Sequence, residues 1–320
     1  FSFADVAKEI ARIHILFEEC QIRRGDKIAL IGKDSARWCI VYMAAVTYGA
    51  IIVPILQDFS PNDVHHIINH SESVFLFVSD RIWDTLEEEM IEDVRGVFSL
   101  SDFRCLHQRD GESIQKLLKG MDEKMAEKYP DGFGKDDIEY AELDNDKVVL
   151  LNYTSGTTSY SKGVMIPYRA LWSNTQFAFD VLKMNPGDKL VSMLPMAHMY
   201  GLAFEFLYEF CVGCHIYFLT RTPSPKIIFQ AFSEVKPNLV VAVPLIIEKI
   251  IKKNVLPKLE TPAMKILLKV PIINDKIKAT VREQMINAFG GNFYEIIVGG
   301  AAFNQEIEQF LKSIDFPYTV

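Results

Sequence analysis

Apolar segments of the length a membrane helix needs are missing from this sequence. The charge-free stretch between Lys189 and Glu205 is too short to span a bilayer and carries Pro195, His198 and Gly201. The apolar run after Arg37 is interrupted by Gly49, which separates a helical stretch from a strand. No signal peptide is visible; the chain opens Phe1-Ser2-Phe3, which reads as an interior starting point. Cysteine is sparse: Cys20, Cys39, Cys105, Cys211 and Cys214 are an odd number without framework spacing, which favours free thiols in a reducing, cytoplasmic compartment. Basic charge is in deficit, with 34 Lys and Arg against 42 Asp and Glu. The net charge of −8 argues against a general nucleic-acid surface. A small phosphate-bearing ligand stays open, because backbone N–H groups bind phosphate without net positive charge.

Metal motifs are also lacking. His65, His66 and His70 sit at helical spacing, with His66 and His70 at i, i+4, but no Glu follows His66 directly, so the zinc-protease pattern fails and a solvated helix is expected. Cys211 and Cys214 form a Cys-x-x-Cys without a second pair, so buried thiols are expected there. There is no low-complexity tract and no internal repeat.

What is present is a strand–helix–strand rhythm. Short runs rich in Val, Ile and Leu predict buried strands at 27–31, 51–55, 74–78, 94–100, 148–153, 190–194, 215–219, 238–243 and 294–298. Helices are predicted at 3–20, 36–48, 62–69, 81–90, 202–210, 227–235 and 304–313, with capping signals at Ser35, Ser60-Pro61 and Asn304. This alternation predicts an α/β protein with two packed, mostly parallel sheets and helices on both faces, in lobes of about 1–145 and 146–320. The charged segment 108–146, with Gly111, Gly120, Pro130, Gly132 and Gly134, reads as a helix followed by a surface connection between the halves. The final Phe316-Pro317-Tyr318-Thr319-Val320 reads as the opening of a further strand, so the chain is expected to be part of a longer protein.

The strongest chemical signal runs from Tyr153 to Val164. Hydroxyl side chains, Gly156, Gly163 and Lys162 follow a buried strand. Glycines let N–H groups turn towards an anion, hydroxyls donate further hydrogen bonds, and lysine adds a point charge for terminal phosphates. It is not a Walker A loop, because Ser161 precedes Lys162 and Gly163 follows it.

This segment resembles the phosphate loop of the adenylate-forming superfamily: acyl- and aryl-CoA synthetases, nonribosomal peptide adenylation domains and beetle luciferases. The usual pattern is Thr-Ser-Gly-Thr-Thr-Gly-x-Pro-Lys-Gly. Thr154, Ser155, Gly156, Thr157, Thr158, Lys162 and Gly163 match it, while Ser159 and Ser161 replace the usual Gly and Pro. Three further segments follow in the superfamily's order. Leu194 to Gly201 is similar to the motif whose His closes the carboxylate site, which implies roles for His198, Tyr200 and Gly201 at the substrate. Val243-Pro244 with Glu248-Lys249 resembles a stretch of long-chain fatty acyl-CoA synthetases. Val298 to Ala302 resembles the strand end against which adenine stacks, implying Gly299, Gly300, Ala301 and Ala302 as nucleotide contacts. Arg24–Leu30 and Gly49–Pro54 are similar to the first two strands.

The resemblance implies the N-terminal domain of an acyl-CoA synthetase-type ligase of fatty acid metabolism, with His198 and Lys162 as catalytic groups. It implies ATP and magnesium (Mg2+) as cofactors, coenzyme A as co-substrate and a small carboxylic acid, best a medium- or long-chain fatty acid, as substrate. An aryl or amino acid is the alternative substrate, and a binding-only relative the non-enzymatic one. The superfamily's magnesium-binding Glu, ribose-binding Asp and catalytic Lys of a small C-terminal domain are expected beyond Val320, so this chain alone is expected to be nearly inactive. Peripheral attachment to a membrane and a homodimer are both compatible with these features.

Overall fold

The computed structural model describes all residues except Glu92, Asp110, 155–160, Thr220, Glu260 and 264–269, together with the side chains of Asn254, Lys258 and Ile272. The chain divides into two compact units, Phe1–Asn174 and Thr175–Val320.

The first unit is organised by a seven-stranded sheet of order β5-β4-β3-β1-β2-β6-β7. Its strands are β1 (Lys27–Ile31), β2 (Ile51–Ile55), β3 (Ser73–Val78), β4 (Gly96–Ser99), β5 (Cys105–Gln108), β6 (Val148–Thr154) and β7 (Lys162–Pro167). The five inner strands pair in parallel; both edge strands, β5 and β7, are antiparallel. The inner runs are buried on both faces, as parallel sheets require: Ile28, Ala29, Leu30 and Ile31 have no exposed surface. The edges escape sequence reasoning because their side chains are only half-buried or exposed and show no clean alternation.

Local chemistry sets the helix ends. The helix Ala36–Tyr48 starts where the Ser35 side chain accepts from Trp38 N and stops at Gly49, whose φ of 88° suits glycine. The helix expected at 81–90 does not form as one element: a short turn at Asp80–Trp83 is followed by a 3-10 turn at Glu88–Met90. The Glu87 N–H instead donates to Nε2 of the buried His65 at 3.0 Å, satisfying the backbone outside a helical ladder. The charged segment after β5 forms helices Ser113–Lys119 and Met121–Lys128. The second is tied to helix Phe3–Glu19 by Arg12–Asp122, Lys124–Glu19 and Lys128–Glu18 ion pairs, so this part of the segment is packed structure rather than a free connection.

The second unit has a parallel pair, β8 (Lys189–Ser192) with β9 (His215–Phe218), and a parallel triplet, β10 (Leu239–Ala242), β11 (Glu295–Val298) and β12 (Tyr318–Thr319). Asn238 links the two: its N–H donates to Lys189 O at 2.8 Å and its Oδ1 accepts from Lys189 N at 2.9 Å. Helices Pro225–Val235 and Gln305–Ser313 bury Ile228, Phe232, Ile307 and Leu311 into one apolar core with these strands. Asn304 caps the latter, accepting from Glu306 N and Ile307 N. Among the described residues, no helix is long and apolar enough to cross a membrane.

Candidate nucleotide and carboxylate site

In the first unit β6 runs into the hydroxyl-rich loop and β7 returns antiparallel, pairing Thr154 with Lys162 and Tyr153 with Gly163. Both ends of the loop are therefore held by one sheet ladder, with Thr154 and Lys162 exposed. Ser155, Gly156, Thr157 and Thr158 lie outside the described residues. Gly163 has a packing reason for its missing side chain: a Cβ there would stand 3.0 Å from Cζ of Tyr153. The Tyr153 hydroxyl is 2.7 Å from Nδ1 of His70, and burial raises its pKa. His70, set aside above as part of a solvated face, thus braces the strand that leads into the loop.

In the second unit, three carboxyl-terminal strand ends carry the remaining candidates. Open parallel sheets bind ligands at such ends because loops there are free to present N–H groups. Beyond β8 the chain turns so that His198 N donates to Pro195 O at 3.0 Å, and exposed His198 precedes the helix Met199–Leu202. Gly201 permits this turn: a Cβ would lie 2.6 Å from Pro195 O, which no side chain tolerates. Beyond β10, Pro244 opens the helix Pro244–Asn254. Its Glu248 accepts from Asn304 N at 3.3 Å and pairs with Lys252, so this acid of the Val-Pro…Glu-Lys stretch ties two helices together.

Beyond β11, Gly299 N donates to Ala242 O at 3.1 Å and Gly300 adopts φ 83°. The Tyr200 ring rests on this turn: a Cβ on Gly299 would be 2.8 Å from Tyr200 Cζ, and one on Gly300 3.5 Å from its Cδ1. The Tyr200 hydroxyl lies 3.4 Å from both Ala242 O and Ile297 O, bridging β10 and β11. Burial, and then the Glu205 carboxylate, push its pKa up, so Tyr200 stays protonated as a donor. Ala301 and Ala302 follow, exposed. Tyr200, Gly299 and Gly300 are thus brought into contact.

The helical stretch after Gly201 holds a feature that sequence reading missed. A π-helical turn, Ala203–Leu207, separates Met199–Leu202 from Tyr208–Val212. Glu205 within it is fully buried, and its Oε2 accepts from Ser192 Oγ (3.1 Å), Met193 N (2.9 Å) and Leu194 N (2.8 Å). The signal was available: Glu205 is the first charge after a long neutral stretch, on an apolar helix. Glu209, four residues on, is also fully buried; neither of its carboxyl oxygens has a hydrogen-bond partner among the described residues. Burial, then the charge of Glu205, hold its pKa well above the usual range, so Glu209 keeps its proton while Glu205 takes the three donors. Phe206 is core and Phe204 packs on Tyr200, ring centroids 5.6 Å apart. A cavity of about 940 Å³ in the second unit is lined by Phe229, Ile250, Lys253, Ile277 and Met285 among others, and by none of the predicted site residues.

Among the described residues no group of three or more His, Cys, Asp or Glu stands ready to hold a metal ion.

Open, mostly parallel α/β sheets are an architecture that binds ligands beyond the carboxyl ends of its strands. The chain belongs to the AMP-binding enzyme family, whose model matches residues 1–316. Among curated relatives it is 26% identical over 271 residues to acyl-CoA ligase sidI of Aspergillus fumigatus, covering 81% of this chain and 44% of that protein. It is 24% identical to the human long-chain-fatty-acid–CoA ligase ACSBG2, covering 97% and 51%. The chain thus spans about half the length of these two relatives. The fold is similar to the N-terminal domain of FACL13 from Mycobacterium tuberculosis, with TM-score 0.69 and 17% identity, over 99% of this chain and 67% of that one. It is also similar to the anthranilate CoA ligase AuaEII in complex with anthranoyl-AMP, with TM-score 0.71 and 14% identity, over 98% and 53%.

Proposed function

We propose that the protein containing this chain activates a carboxylic acid with ATP, through an acyl-adenylate, to an acyl-CoA, and that the acid is a medium- or long-chain fatty acid. The observation that carries the reading is the β6–β7 hairpin, which pairs Thr154 with Lys162 across the base of the hydroxyl-rich loop. In this reading Lys162 neutralises charge on the terminal phosphates, and Thr154 with Gly163 shapes the loop that cradles them. His198 encloses the carboxylate, and the Gly299–Ala302 turn offers a backbone surface to adenine. A carboxylate is a weak nucleophile, so these groups act by positioning it and by offsetting charge at phosphorus. Opening of the mixed anhydride by the thiol of coenzyme A then releases AMP.

Relatives named as long-chain ligases support the fatty-acid substrate. So does the absence of an acidic residue at Met196 or Ala197, where an amino-acid substrate would need a partner for its ammonium group. The test is ATP–pyrophosphate exchange by the full-length gene product with acids from acetate to palmitate, benzoate and amino acids. Exchange peaking with long-chain acids is expected, and the 320-residue chain alone should exchange far less. A folded, ATP-binding protein with no exchange for any acid would overturn the enzymatic reading in favour of a binding-only relative.

A further inference from the structure

We propose that Glu205 is a positioning residue that fixes the loop carrying His198; this rests on the function proposed above for the consequence, but not for the geometry. The β8 ladder ends at Ser192, so the next two N–H groups, of Met193 and Leu194, lie beyond it. Both are buried residues, and a buried N–H without an acceptor is costly. One carboxylate oxygen of Glu205 takes both, at 2.9 and 2.8 Å, and the Ser192 hydroxyl as well.

The far end of the same loop is closed by the His198 N–H on Pro195 O and by the close approach of Gly201. Between these clamps lie only Pro195, Met196 and Ala197, so the direction of His198 follows from where Glu205 holds the first two amides. The π-turn makes this possible. Wider winding at Ala203–Leu207 changes the helix face on which residue 205 falls, and π-turns tend to occur where a side chain is re-aimed for use. Tyr200, the residue that covers the Gly299–Gly300 turn, stands on the same short helical stretch.

The test uses the full-length gene product. In Glu205→Leu the Met193 and Leu194 amides lose their acceptor; their hydrogen exchange should accelerate by at least about tenfold, while Leu190 and Val191 within β8 keep their protection. Glu205→Gln retains an acceptor oxygen and should keep protection near that of the parent. In ATP–pyrophosphate exchange, Glu205→Leu should lower kcat about 10²-fold with KM for ATP changed less than about threefold. The double variant Glu205→Leu/His198→Ala should be no slower than His198→Ala alone, because Glu205 acts through His198. If Glu205→Leu does not fold, Glu205→Asp carries the test: one methylene shorter, it should lose part of the amide protection and part of kcat. Unchanged amide exchange in a folded Leu or Asp variant overturns the proposal, as does additive loss in the double variant. Absence of pyrophosphate exchange in the parent protein would overturn the proposed reaction alone, since the amide measurement does not depend on it.

Discussion

In the first unit the ends of the candidate loop are held by backbone: Thr154 and Lys162 face each other in a sheet ladder, one strand pairing inside from a parallel core and one lying on the edge. In the second unit the candidate residues sit on turns beyond β8, β10 and β11, and side chains hold them: Glu205 under the His198 loop, Tyr200 over Gly299 and Gly300, Glu248 at Asn304. A ladder tolerates changes in the side chains it displays, because register is set by hydrogen bonds that every residue supplies. A turn held by one buried carboxylate or one aromatic ring does not. Function and stability should therefore separate in the first unit and fall together in the second.

The largest expected effect tests the first half of that contrast. Lys162→Ala in the full-length protein should lower pyrophosphate exchange about 10²–10³-fold, the usual cost of losing one charge-stabilising group. Because Lys162 is exposed at the edge, thermal unfolding should shift by no more than ~0.5 kcal/mol. A matching loss of stability would break the comparison.

Next comes Gly299→Val in the second unit. Its Cβ would meet Tyr200 Cζ at 2.8 Å, so the ring must leave the turn. A stability loss of about 1–3 kcal/mol by denaturant titration, together with weakened nucleotide binding, is expected. Loss of binding with stability intact would place the second unit under the same rule as the first.

Glu209 sharpens the contrast through pH. Its folded-state pKa is raised above the ordinary 4.5 by burial first, so the folded chain binds a proton that the unfolded chain releases once pH exceeds that value. Stability from this group is therefore full below about pH 4.5 and declines as pH rises, by up to ~1.4 kcal/mol per pH unit until the raised pKa is reached. Glu209→Gln, neutral at every pH, should gain on the parent in urea titrations as pH rises above about 4.5. Parallel pH curves would show that Glu209 is not buried as a neutral acid.

The smallest expected effect is that of Tyr153→Phe. It removes the bond to His70 but leaves the ring against Gly163, so about 1 kcal/mol of stability should be lost, with exchange kinetics nearly unchanged.

Much of the architecture is readable locally. Helix Ala36–Tyr48 has both its ends written in Ser35 and Gly49, and the inner strands are short apolar runs that a doubly covered sheet hides. The segments that were misread are those where a distant partner overrules the local pattern. The helical periodicity of 81–90 gives way because His65 takes the Glu87 N–H. β7 becomes a strand because β6 offers a free edge to Lys162–Pro167, and nothing in those residues alternates strongly enough to announce it. For the candidate site the motif residues were nameable only through their resemblance to a family pattern, and their supports were not nameable at all: His70 meets Tyr153 across 83 positions.

By itself, then, the sequence determined the inner parallel strands, the capped helices and the α/β class, since propensity, capping and hydrophobic period act over a few neighbours. Only the tertiary structure decided that Thr154 and Lys162 meet in an antiparallel edge ladder, that Tyr200 covers the Gly299–Gly300 turn, and that Glu205 takes three donors while burial raises the pKa of Glu209. Those outcomes depend on burial and on which donors converge in space, and neither quantity exists until the chain has folded.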